Sequence, residues 1–210
     1  MSAAGPGLAL LRRLSEPAPP APERCELCRQ AVAAEHRHLV DGEARALVCA
    51  CPGCVLLFEA GGGRYRAVPE RYLVDPAMEL DESGWQALQI PVGTAFFLRD
   101  TALDRLVALY PSPAGATESE LDPAAWQAVL GGTRLAAELR PDVEALLLRR
   151  SRDGSTDCYL VPVDRCYELV GRMRRHWQGF DGGAEARAEL AGFFTEVAGR
   201  ARELAREVAP

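Results

Sequence analysis

Between Asp164 and Trp177 the apolar residues Cys166, Leu169, Val170, Met173 and Trp177 return every three or four positions. That spacing predicts an amphipathic helix over 165–177, with Asp164 as its N-cap. A second helical period runs over 185–207, with Leu190, Phe193, Phe194 and Val197 facing inward and Asp181 as the expected cap. Strand-like runs lie upstream. "VGTAFFLRD" (92–100) and "RLVALYPS" (105–112) predict two strands with a short connection. "VEALLLRR" (143–150) and "TDCYLVPV" (156–163) predict a hairpin turning at Asp153–Gly154. Between these pairs, Asp122 followed by Pro123 marks a helix start, and "TRLAAEL" adds a further helical turn before Pro141. Asp81 or Ser83 caps a short helix through Trp85 and Leu88. Strands mixed with helices, without strict βαβ alternation, predict an α+β fold with a mixed antiparallel sheet.

The first quarter of the chain follows no such period. Residues 1–23 include "EPAPPAP" and read as a flexible, Pro-rich tail. Residues 24–60 hold five of the seven cysteines. "GGGR" (61–64) then breaks the chain, and 61–210 form the α+β domain. "RALVCAC" suits a strand, Pro52–Gly53 a turn, and "CVLLFEA" the start of a helix. Knuckle, hairpin, knuckle and helix is the order of a small treble-clef or zinc-ribbon-like module.

Composition narrows the function classes. The chain has 210 residues and a formal net charge of −6, so non-specific phosphate binding is disfavoured. Every basic residue is arginine, which excludes lysine chemistry such as a Schiff base or a P-loop. An odd number of clustered cysteines argues for a metal in a reducing compartment rather than a disulfide framework. No apolar run spans a bilayer and the N-terminus makes a poor signal peptide, so a cytoplasmic location without membrane insertion is expected.

Cys25-x-x-Cys28 and Cys51-x-x-Cys54 carry the chemistry. Two thiolates three apart on a tight turn both reach one cation, and two such turns complete a tetrahedron. A module this small buries too little apolar surface to fold alone, and structural zinc supplies on the order of 10–16 kcal/mol. Iron is the alternative in the same cage. Arg29 and Val55 stand where rubredoxin-like knuckles usually place glycine, which favours zinc. Cys49, His38 and His36 remain as substitutes or outer neighbours of the site. Cys49 lies two residues before Cys51 and would share its strand face. Module arginines 24, 29, 37 and 45 are balanced by Glu26, Glu35, Asp41 and Glu43, so nucleic-acid binding is not expected.

Other features are weaker. "YPSPAGATESELD" (110–122) reads as a strand-to-helix connection. A Ser–His–Asp arrangement from Ser112 or Ser119 with His176 and Asp181 lacks a G-x-S-x-G elbow. The arginines at 149, 150 and 152, and at 172, 174 and 175, read as solvated surface.

The segments "CELC", "HRHLV", "CACPGCVLLF", "GRYRAVPERYL", "LQIPVGTAFFL", "YPSPAGATES" and "VPVDRCYELVGRMRRHWQGFDGG" together resemble an uncharacterised, mostly actinobacterial family. Its genes lie beside those of nickel–iron hydrogenases. The resemblance covers about residues 23–205 and brings no assigned activity. It implies a protein partner, a hydrogenase subunit or maturation factor. The expected function is thus a non-enzymatic, zinc-binding accessory protein. Its alternatives are a rubredoxin-like iron electron-transfer protein and, behind that, a hydrolase.

Overall fold

The computed structural model describes residues 22–59, 63–151, 153–179 and 182–205. The tail over 1–21 and Asp181 lie outside them. The front module is a three-stranded sheet of β1 (Arg37–Asp41), β2 (Ala46–Ala50) and β3 (Tyr65–Ala67), in the order β2-β1-β3, followed after β2 by helix α1 (Pro52–Phe58). Its own core is Leu39, Val48, Ala50 and Val55 with three of the cysteines.

The body is a seven-stranded sheet in the order β10-β4-β9-β8-β5-β6-β7. Its members are β4 (Leu73–Val74), β5 (Thr94–Asp100), β6 (Arg105–Ser112), β7 (Gly115–Ser119), β8 (Glu144–Arg150), β9 (Thr156–Pro162) and β10 (Arg202–Glu203). All neighbours are antiparallel except β10 with β4. Both faces are covered. Phe96, Leu98, Ala145, Leu147 and Val161 face the long helices α5 (Val163–His176) and α6 (Gly183–Arg200), which supply Leu169, Val170, Phe193 and Phe194. The alternate residues Ala95, Phe97, Leu146, Leu148 and Leu160 face short elements: α2 (Glu82–Ala87), α3 (Pro123–Trp126) with a π-turn over Gln127–Gly131, and α4 (Arg134–Glu138). Burial on both faces explains why β5 and β8 read as continuous apolar runs although the sheet is antiparallel.

Four expectations are corrected. The segment 110–122 is not a plain connection: β6 runs to Ser112, turns through Pro113 and Ala114, and folds back as β7, whose first residue Gly115 has φ +125°. The last helix stops at Arg200 rather than 207. There Ala201 is extended, and Arg202 N and Leu204 N donate to the carbonyls of Tyr72 and Val74. Asp164 is not a cap: α5 begins at Val163, its N-cap is Pro162, and the Asp164 carboxylate is used elsewhere. The arginines at 149, 150 and 172 are not free surface either. Each is paired with a carboxylate (Asp157, Glu82, and Glu168 with Glu196), while Arg174 and Arg175 are exposed.

The module is seated on the body by the same strand alternation. Leu39 and Val48 face the module's core, whereas Val40 and Leu47, one residue out of phase, pack into the core beneath α5 and α6. Arg45 pairs with Asp100 at 2.7 Å, Arg66 pairs with Asp142, and His38 reaches Asp164.

Candidate metal centre

The first knuckle is a closed loop. Cys25 N donates to Gln30 O, Arg29 N to Cys25 O, and an isolated bridge joins Arg24 to Ala31. Arg29 takes φ +66°, the left-handed backbone that glycine adopts at such turns. The missing glycine therefore does not alter the knuckle, and it discriminates between metals less than the sequence implies. Glu26 docks the knuckle onto β2: its N–H donates to Cys49 O, and its carboxylate accepts from Cys49 N at 2.9 Å. Nothing in the spacing pointed to Glu26.

The second knuckle is built differently. Cys51 is the N-cap of α1 and Cys54 sits in its first turn, with Pro52 pre-setting the helical backbone. This order of knuckle, hairpin and helix is the one read from the sequence.

The sulfurs of Cys25, Cys28, Cys51 and Cys54 all lie within 4.8 Å of one another. The Cys28 and Cys51 sulfurs are 3.6 Å apart. A disulfide would need about 2.05 Å, whereas a tetrahedral site with metal–sulfur bonds of about 2.3 Å has sulfur–sulfur edges of about 3.8 Å. The donor set fits a soft or borderline cation. Cys25 and Cys51 are buried and Cys28 is exposed, so a metal held here has protein on one side and solvent near one ligand.

The charge balance of the cage points the same way. Burial opposes ionisation of Cys25, but the N–H groups of Cys51, Cys28 and Leu27 outweigh it and bring this thiol down to about 6. Cys54 is pushed up to about 12, first by burial and then by the neighbouring sulfurs. Cys28 is raised as well: the Gln30 N–H favours its thiolate, and the Cys25 and Cys51 sulfurs outweigh that help. The Cys25 thiolate forms readily while Cys28 and Cys54 resist, because like charges crowd. A divalent cation would supply the missing positive charge.

Cys49, His36 and His38 are not part of this cage. They form a separate group of their own on the hairpin. Strand geometry stops at Ala50, and Cys51 turns away as the helix cap, so Cys49 and Cys51 do not share a destination. Ser112 bonds Thr117 within the β6–β7 hairpin, and His176 lies between Glu185 and Glu189 of α6. A cavity of about 340 Å³ opens between the hairpin and the body, but its Asp100 and Asp142 carboxylates are already paired with arginines.

Fold and site together define an α+β protein with a four-cysteine cluster on a hairpin module. The chain belongs to DUF5947, a family of unknown function, which it matches over residues 24–201. No curated protein and no solved structure matches it. Among the described residues, no helix is long and apolar enough to cross a membrane.

Proposed function

We propose that Cys25, Cys28, Cys51 and Cys54 hold a structural zinc ion, and that the chain is a non-enzymatic accessory protein acting through a protein partner. The convergence of four sulfurs within 4.8 Å carries this reading. A closed four-thiolate cage leaves no coordination position for substrate, which favours a structural over a hydrolytic metal. An interaction role is supported by α1. One side of the helix buries Cys54 and Val55 beside the cage, while Leu56 and Leu57 are 65% and 75% exposed. Two adjacent leucines held out on a metal-anchored helix suit an apolar contact with another protein. By the resemblance drawn from the sequence, that partner is a nickel–iron hydrogenase subunit or maturation factor in the cytoplasm.

Metal analysis of the native protein, with co-purification from a host carrying the hydrogenase genes, tests both halves. Loss of one zinc equivalent in Cys51→Ser with Cys54→Ser supports the cage. A partner lost in Leu56→Glu with Leu57→Glu, at unchanged metal content, supports the interaction. Stoichiometric iron with visible absorbance would replace zinc by the electron-transfer alternative.

A further inference from the structure

A second set of donors converges outside the cage. One nitrogen each of His36 and His38 and the Cys49 sulfur lie within 4.8 Å of one another. The hairpin explains why. His38 pairs directly with Cys49 across β1 and β2, and His36 precedes His38 by two residues, so the three project from one face. Val40 and Leu47 share that face, which looks toward the body. The four-cysteine cage lies with Leu39 and Val48 on the other.

The hydrogen bonds select the ring nitrogens. His36 Nδ1 is 2.9 Å from the Ala33 carbonyl, and His38 Nδ1 is 3.0 Å from Asp164 Oδ2. A carbonyl and a carboxylate only accept, so both Nδ1 atoms donate, and in the neutral imidazole each Nε2 atom holds the lone pair. The His36 side chain is only 8% exposed, and its Nε2 is buried with no partner among the described residues. A buried imidazole lone pair beside a second imidazole and a thiol lacks only a cation.

We propose that His36, His38 and Cys49 form a second metal site for a divalent cation of the zinc type, with three protein donors and a fourth position open to water or another molecule's donor atom. Asp164, in the first turn of α5 in the body, orients His38 through its Nδ1–H, the arrangement that commonly fixes a metal-bound histidine. The site thus spans the seam between module and body. It differs in kind from the cage: three donors with an open position, against four thiolates and none.

Titration of metal-stripped, reduced full-length protein with Zn²⁺ and with Co²⁺ tests this, using a competing chromophoric chelator. The wild type should take up two equivalents. His36→Ala with His38→Ala should take up one, and Cys49→Ser should alter the Co²⁺ charge-transfer bands of one equivalent only. Cys51→Ser with Cys54→Ser should lose the other equivalent, which separates failure of this site from failure of the cage. Asp164→Asn, placed away from the hairpin, should weaken one equivalent by about 10–100-fold and leave the other tight, which keeps the test decisive if the double histidine variant misfolds. Saturation of the wild type at a single equivalent, or a second equivalent indifferent to both the histidine pair and Asp164, overturns the proposal.

Discussion

Glu144 is fully buried at the start of β8, and its carboxylate would be intolerable there without donors. Arg71 supplies two, with Nε at 2.6 Å and Nη2 at 3.0 Å, and the Arg140 N–H supplies a third at 3.0 Å. Arg71 also donates to Glu138, so one guanidinium fastens the β3–β4 connection to the end of α4 and the start of β8. Replacing Arg71 by Met strands the carboxylate and should cost roughly 3–5 kcal/mol of stability, toward the lower end because the arginine itself is partly exposed. Urea denaturation measures this, and adding Glu144→Gln should restore part of the loss. A change under about 1 kcal/mol would mean the carboxylate finds other donors or water. Such long-range pairs were invisible in the sequence, since residues 71 and 144 carry no mutual signal. The convergence of the four cysteines was legible because two Cys-x-x-Cys pairs are a local spacing. The His38–Asp164 bond was not: Asp164 stands at a helix start, where capping is the usual reading, and its actual partner is 126 positions away.

The elements that could be read were those whose periodicity and punctuation agree. Helix α5 and the β8–β9 hairpin fall within two residues of their expected bounds. The β6–β7 hairpin was missed because Pro111 and Pro113 mark loops in most contexts. It is tolerated because pairing of β6 with β5 ends at Leu109, so Pro111 has only β7 beside it. The helical period past Arg200 was overridden by an open sheet edge: β4 offers unpaired carbonyls, and the chain extends to meet them. In the β1–β2 hairpin, the turn depends on one carboxylate. Asp41 accepts from Arg64 Nε and Nη2 and from the N–H groups of Glu43 and Ala44. The Arg64 guanidinium, helped by those N–H groups against burial, lowers its pKa from 3.8 to about 2. A carboxyl depressed in the folded state stabilises it above the unfolded pKa and loses that contribution as pH falls through the folded one. Stability measured by denaturation should therefore decline between about pH 4 and pH 2, and Asp41→Asn should flatten that decline while lowering stability at neutral pH. An unchanged slope in the variant would assign the acid sensitivity to other groups.

At the scale of the whole molecule, two parts of unequal self-sufficiency meet at a seam. The body carries two apolar layers on one sheet and buries Phe96, Phe97, Phe193 and Phe194 completely or nearly so. The module's own core is four small or medium apolar residues around the cysteines, far short of what stabilises an independent fold. Its stability must come from the cage and from the seam. A structural zinc ion held as proposed would supply on the order of 10–16 kcal/mol of apparent binding free energy, which exceeds the total stability of most domains. The seam contributes Val40 and Leu47, two arginine–carboxylate pairs and His38–Asp164, which hold the three-stranded sheet against the body independently of the cage. Chelation should then act in a graded way. Amide exchange should rise sharply over 24–34 and 51–59, where knuckle and helix depend on the cage, and moderately over β1 and β2. The β8–β9 pairing should keep its protection. Trp85 and Trp126, packed on the far face of the sheet, should keep buried emission. Hydrogen exchange by mass spectrometry with and without a zinc chelator distinguishes this from its opposite. If β8 and β9 lose protection together with the knuckles, the cage anchors the whole chain and the two parts form one cooperative unit.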